Sequence, residues 1–179
     1  LQAIAGLGSG WDGLAPTPQG TRFHGLVHHN GYLYQIGGES DVWTPTDAVQ
    51  RYDIAGDSWG SVAALPVALS GADAVALGDH IYVPGGSDDT DTPLDGGTFL
   101  DTLHIYDPAT NAWDTGAALP TPLALASVVA LDGKLYVIGG QVDDGSYVNT
   151  LTIYAPVADS WSQGAAMSET RAYAAARDR

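Results

Sequence analysis

Two groups of side chains in this sequence could do chemistry: a run of carboxylates, and scattered cations and aromatics near the starts of predicted strands and in polar loops. The stretch Ser87-Asp88-Asp89-Thr90-Asp91-Thr92-Pro93-Leu94-Asp95-Gly96-Gly97 is the densest acidic segment. Oxygen-rich loops suit calcium, with Asp89, Asp91 and Asp95 as the alternating donors. The spacing is not that of an EF-hand, which needs ligands at positions 1, 3, 5 and 12, and a solvated acidic loop accounts for the same residues. His24, His28 and His29 lie close together, and strand alternation puts His24 and His28 on one face, where a pair can hold a transition metal. Arg22 and Arg171 follow Trp11 and Trp161 by 11 and 10 residues. A guanidinium there could clamp a carboxylate, or make structural ion pairs and bonds to loop carbonyls. Trp43, flanked by Asp41, Thr44 and Pro45, and Tyr147 are aromatics in polar loops, the residue type that anchors a partner. No nucleophile elbow or Ser-His-Asp order occurs, and no glycine pair opens a helix as a phosphate loop does.

Composition narrows the classes. The 179 residues carry 21 Asp and Glu against 6 Lys and Arg, a formal charge of −15. Such a surface repels phosphate backbones, so nucleic acid is excluded as a partner, and anionic membranes are equally poor ones. No apolar run approaches the ~20 residues of a membrane helix. There is no cysteine, so disulfides, thiolate metal sites and thiol nucleophiles are excluded. With 23 Gly, 10 Pro and only two Glu among the acids, the chain favours strands and tight turns over helices. The Asp-rich, Lys-poor composition leads us to expect a bacterial or archaeal protein displayed extracellularly or in a periplasm, with a cytoplasmic location as the alternative.

The elements that must position these residues come from a repeat. Trp11, Trp59, Trp113 and Trp161 are 48, 54 and 48 residues apart. Tyr52, Tyr106 and Tyr154 each precede a Trp by seven residues. Gly37-Gly38, Gly85-Gly86 and Gly139-Gly140 precede those Tyr, and Tyr34, Tyr82 and Tyr136 lie four residues before each second Gly. Each unit reads as four short strands. In the third, Leu125 to Leu131 and Lys134 to Ile138 flank an Asp132-Gly133 hairpin turn, with further strands at Thr150 to Tyr154 and at Trp161. Asn30-Gly31 and Gly78-Asp79 turn the first two units. Pro84 has no N–H for a ladder, so pairing beside it should be incomplete. The register of the Trp residues assigns them to packing between units rather than to a sugar-stacking surface.

The pattern resembles the kelch repeat. The residues that carry the resemblance are Tyr-Gln-Ile-Gly-Gly at 34–38, Tyr-Val-Pro-Gly-Gly at 82–86 and Tyr-Val-Ile-Gly-Gly at 136–140, each followed by Tyr-x6-Trp. Ala155 departs from the Asp found at 53 and 107. The resemblance implies an all-β fold, a kelch-type β-propeller fragment of four-stranded antiparallel blades. Residues 17–66, 67–120 and 121–167 are expected to form one blade each. Residues 1–16 would give the last strand of a preceding or closing blade, and 168–179 the first strand of the next. The expected whole is a ring of six or seven blades, completed by blades of the same chain or, alternatively, by a second copy.

The same resemblance implies a binding module that presents its inter-strand loops to a protein or glycan. The candidates are Asp41, Trp43, Asp88, Asp89, Asp91, Asp95 and Tyr147, with no cofactor beyond the calcium option. The alternative is part of a kelch-type carbohydrate-active enzyme, similar to a sialic-acid mutarotase or a sugar oxidase. Its site would lie at the channel mouth, at Arg22, His24 and Arg171. The Tyr–Cys copper crosslink of the galactose oxidase group has no counterpart here, because the sequence lacks cysteine.

Overall fold

The computed structural model describes residues 13–40, 44–88 and 98–173. These form three four-stranded antiparallel sheets, each with its strands in sequence order. The first blade holds β1 (Gly25–His29), β2 (Tyr32–Ile36), β3 (Val49–Asp53) and β4 (Ser58–Ser61). The second holds β5 (Val75–Leu77), β6 (His80–Pro84), β7 (Leu103–Asp107) and β8 (Ala112–Gly116). The third holds β9 (Ser127–Leu131), β10 (Lys134–Ile138), β11 (Leu151–Ala155) and β12 (Ser160–Gln163). Among the described residues there is no helix long and apolar enough to cross a membrane.

Turn chemistry fixes the register of each inner hairpin. Asn30 and Gly31 sit at φ 48° and 83°, and Asp132 and Gly133 at 49° and 73°, the two left-handed positions of a type I′ turn. In the second blade only Gly78 is left-handed, at φ 60°, which matches a type II′ turn. The strands then alternate. Leu135 and Val137 of β10 bury completely against the second blade, and Tyr136 and Ile138 face the other way.

Pro84 shortens the ladder on one side. Gly85 donates its N–H outward to Thr102 O at 2.9 Å, so the residue before it would donate inward to the first strand. Proline cannot do this, and β5 is three residues long where β1 and β9 are five. Asp73, opposite Pro84 in the extended register, accepts N–H bonds from Ala74 at 2.9 Å and from Val128 of the third blade at 3.0 Å. Burial raises the pKa of its carboxyl, and the two N–H bonds oppose that rise.

The blades are joined by a repeated bracket. Asp57, Asn111 and Asp159, each two residues before a Trp, sit at φ 45°, 53° and 43°. The Oδ1 of each accepts the hydroxyl of the Tyr five residues earlier, at 2.7, 2.7 and 2.6 Å. It also accepts the N–H of one alanine at the end of the preceding unit: Ala15 at 2.7 Å, Ala63 at 2.8 Å and Ala117 at 2.6 Å. The indole Nε1 of Trp59, Trp113 and Trp161 donates to the carbonyl of that same alanine at 2.9, 2.9 and 2.7 Å. Both peptide groups of a single residue are thereby satisfied by the next blade.

Apolar packing follows the bracket. Tyr34, Ile36 and Val49 of the first blade share a core with Ile81, Val83 and Tyr106 of the second, and Trp113 packs against it. Tyr82 and Leu103 meet Leu135 and Tyr154 in the same way, with Trp161 beside them. Ring pairs cross both seams, Tyr34 edge-on to Tyr106 at 5.9 Å and Tyr82 tilted against Tyr154 at 6.2 Å. Each such buried side chain contributes about 1.5–3 kcal/mol relative to exposure. Trp113 and Trp161 thus do the inter-blade packing expected of them, while Trp11 lies outside the described residues.

Candidate interaction site at the loop end of the blades

The connections from strand two to strand three, and from strand four to the next blade's first strand, lie at one end of the sheets. Above each Gly-Gly pair the backbone forms a small bridge rather than a free loop. Glu39 bridges Arg22 and Pro45, Ser87 bridges Ser70 and Phe99, and Gln141 bridges Ala124 and Tyr147. The second Gly of each pair donates into the next blade, to Leu69 O at 2.7 Å, Leu123 O at 2.9 Å and Arg171 O at 2.7 Å. At Gly85 a Cβ would lie 2.1 Å from Leu123 O, so only glycine allows this approach.

A second set of backbone bonds runs around the start of the inner strands. Gly71 N–H donates to Phe23 O at 2.9 Å, Leu125 N–H to Gly71 O at 2.7 Å and Tyr173 N–H to Leu125 O at 3.1 Å. All four residues are left-handed, with φ between 54° and 66°. This corrects the reading of Leu125 as a strand residue. It sits in the left-handed link between blades, and β9 begins at Ser127. The rings of Phe23 and Tyr173, three steps apart around the arc, meet at 6.2 Å, so aromatic side chains close over the axis at this end. Beyond them a trough of about 530 Å³ runs between the inner strands, lined by residues that include Leu26, His28, Asp73, Val75 and Val128.

The residue after each Gly-Gly is polar and buried: Glu39, Ser87 and Gln141 are at most 4% exposed. Glu39 Oε1 accepts Arg22 Nε at 2.6 Å, while its Oε2 is buried without a partner among the described residues. Gln141 Nε2 donates to Gly145 O at 3.0 Å and leaves its Oε1 buried and unbonded among the described residues. The arrangement stiffens the bases of the loops and leaves acceptor atoms beneath them.

The sequence candidates fall in different places. Arg22 is half-exposed, bonded to Glu39, with its guanidinium 6.0 Å from the Phe23 ring centre. Arg171 is exposed and paired with Glu169 at 2.8 Å, and its carbonyl serves the third Gly-Gly pair. The two arginines are not equivalent. Arg171 occupies the position of Leu69 and Leu123, and Arg22 that of Ser70 and Ala124. His24 Nδ1 lies 3.0 Å from Thr21 O and 3.2 Å from Thr21 Oγ1, which ties it into its own turn. Among the described residues no three His, Asp or Glu are grouped so as to hold a metal.

Tyr147 is exposed at the third loop. That loop is set by Gly145 N–H to Val142 O at 2.9 Å and Ser146 N–H to Asp144 at 2.8 Å. The Ser146 hydroxyl also bonds to Asp144, and it holds that carboxyl below its usual pKa. Phe99 N–H reaches Asp143 at 2.9 Å and so links the second blade's loop to the third's. Asp88 is half-buried. Asp41, Trp43 and the calcium candidates Asp89, Asp91 and Asp95 lie outside the described residues.

Sequence reasoning passed over Glu39 as a site residue. Its signal was available, because Glu39, Ser87 and Gln141 are the polar residues directly after the three Gly-Gly pairs.

The comparisons with known proteins agree with this architecture. Residues 23–177 match the family described as the KLHDC2/KLHL20/DRC7 Kelch-repeats domain. Over 130 residues the chain is 30% identical to mouse Kelch-like protein 35, covering 73% of this chain and 21% of that protein. It is 28% identical to beta-scruin of Limulus polyphemus over 130 residues, covering 73% of this chain and 14% of that one. The chain therefore spans about a fifth or less of the length of these relatives. The solved structure of YjhT superposes with a TM-score of 0.76 at 20% identity, covering 91% of this chain and 57% of that chain, a likeness of fold.

Proposed function

The chain belongs to the kelch-repeat family, and from that premise we propose that it is a non-catalytic binding module whose loop end engages a protein or glycan partner. The observation that supports the reading is the contrast at that end. Loop bases are pinned by the bridges at Glu39, Ser87 and Gln141, while Tyr147 and its acidic neighbours Asp143 and Asp144 stay exposed. A rigid base with projecting aromatic and charged groups loses little entropy on association. With a net charge of −15, a basic partner surface gains most from long-range attraction.

The test compares partner binding by the wild-type chain, by Tyr147→Ala and Trp43→Ala, and by a chain with 88–97 replaced by a short Gly-Ser linker. Leu131→Ser, at the opposite end of the third blade, is the control. Protein partners are scored by titration after crosslinking identification, and glycans on an array. We expect at least tenfold weaker binding for the loop variants and unchanged binding for the control. Equal affinity in all loop variants, or loss confined to Leu131→Ser, refutes the assignment.

A further inference from the structure

We propose that a small apolar cavity in the seam between the second and third blades receives one aliphatic side chain of a partner protein, carried on a linear segment with Lys or Arg on either side of it. The inference rests on the loop-end binding reading and adds to it the chemistry of the partner.

The cavity has a volume of about 70 Å³. Leu119 and Leu123, in the connection leaving the second blade, line it from one side, and Val142 and Val148 of the third blade's loop from the other. Both sides are pinned through the backbone. Leu119 N–H donates to Asp101 O at 2.7 Å and Leu123 N–H to Leu100 O at 3.1 Å. Val142 N–H donates to Ser146 O and Val148 N–H to Gly140 O, each at 3.0 Å. The cavity is therefore formed before a ligand arrives, and little order has to be created on binding.

The repeat explains why the cavity is open at this seam. Thr152 lines it, two residues before Tyr154 and opposite Gln163 on β12. The same position in the second blade, two residues before Tyr106 and opposite Thr115, is His104. There the imidazole is 3% exposed and lies edge-on to Trp113 at 6.2 Å in the first seam. Thr152 is as deeply buried, at 5%, but has no ring. It leaves open at the second seam the space that the imidazole takes up at the first. A cavity of about 150 Å³ admits benzene, so this smaller one suits a branched aliphatic group and not an aromatic ring.

The rim selects the flanks of the segment. Asp101, whose carbonyl holds Leu119, and Asp143 and Asp144, which follow Val142, are all exposed. Bonds from Ser146 keep Asp144 ionised. Arg171, whose N–H donates to Val148 O at 3.1 Å, is paired with Glu169 at 2.8 Å. Carboxylates on both sides of an apolar opening attract cations flanking the inserted group and repel acidic flanks. Thr150 and Gln163 add a hydroxyl and an amide to the lining, groups that bond a peptide backbone. A sugar ring would instead bury its hydroxyls against the leucines and valines, at a cost in unmade hydrogen bonds.

The experiment titrates the 179-residue chain with three synthetic peptides and follows its methyl signals by NMR. The peptides are acetyl-Gly-Lys-Leu-Lys-Gly-amide, the same with Ser for Leu, and the same with Glu for both Lys. We expect the first to shift the methyls of Leu119, Leu123, Val142 and Val148, and the other two to bind roughly tenfold or more weakly. Thr152→His places here the ring that position 104 already accommodates, and it should weaken the first peptide by a similar factor. Equal binding of the Leu and Ser peptides by the wild type overturns the proposal without recourse to any variant. So does undiminished binding by a folded Thr152→His chain, or the same methyl shifts from N-acetylglucosamine, which would assign the cavity to a glycan. If no peptide reaches these methyls while Tyr147→Ala still weakens partner binding, this inference fails and the loop reading stands.

Discussion

Replacing Asn111 tests the bracket that joins the first two blades. Its Oδ1 accepts the Tyr106 hydroxyl at 2.7 Å and the Ala63 N–H at 2.8 Å, and its backbone is left-handed at φ 53°. The Asn111→Ala change removes both bonds. The solvent-facing bond to Ala63 is worth about 0.5 kcal/mol, and the bond to the buried Tyr106 hydroxyl about 1 kcal/mol. Alanine at positive φ adds about 1 kcal/mol. The total is about 2–3 kcal/mol, or roughly 4–12 °C in Tm for a chain of this size. Asn111→Gly keeps the backbone conformation and loses only the bonds, so it should cost about 1.5 kcal/mol. Asn111→Asp places here the residue found at 57 and 159, keeps both bonds, and should match or exceed the wild type near neutral pH. Urea unfolding followed by tryptophan fluorescence reads all three. If Asn111→Ala lies within about 0.5 kcal/mol of the wild type, the bracket does not hold the seam.

Other consequences can be checked on the same preparation. His104 is 3% exposed, has neither ring nitrogen bonded among the described residues, and lies edge-on to Trp113 at 6.2 Å. Burial lowers its pKa, so the unfolded chain binds the proton more tightly. Stability from neutral His104 is therefore full above the unfolded value of about 6.5 and falls as pH drops from there toward the folded pKa. Urea midpoints at pH 5 and 7.5 should differ in the wild type and converge in His104→Leu. Gly85→Ala should cost more than 2 kcal/mol, because its Cβ meets Leu123 O at a backbone φ of 67°. Gly133→Ala has open space around it at φ 73° and should cost only about 1 kcal/mol by thermal melting. The carboxyls of Asp57 and Asp159 are held below their usual pKa, the first chiefly by the Ala15 N–H and the second chiefly by the Tyr154 hydroxyl. Their contribution is present above about pH 3.8 and is lost as pH falls through the lower folded values. The stability lost between about pH 5 and pH 2 should therefore be smaller in Asp159→Asn than in the wild type, read from urea midpoints across that range; an equal loss in the two refutes a role for Asp159 in acid unfolding.

Much of the fold was legible because its landmarks are residues with no substitute. Gly85 cannot carry a side chain against Leu123 O, and Trp113 must both fill the seam and donate to Ala63. Such residues recur at fixed intervals. The alanines at 15, 63, 117 and 165 recur just as regularly, but alanine is common and its role is to expose a peptide group. Its meaning depends on what another blade brings to it. Counting residues from Trp11 and Trp161 to the arginines crosses a connection, and an error of one residue there exchanges a side chain facing Glu39 for one in a surface pair with Glu169. The candidate site was harder to read than the fold because the loops differ between blades, which leaves no period to guide the eye.

The bracket also gives the chain a direction of assembly. Each anchoring alanine precedes the tryptophan that binds it, by 44, 50 and 44 residues. A unit leaving the ribosome therefore finds its docking point already made, and the loop it must close has nearly the same length at every step. The closure entropy per blade stays nearly constant, growing only with the logarithm of loop length. The sheets can condense one after another from the N-terminus during synthesis, with no blade waiting for sequence not yet translated.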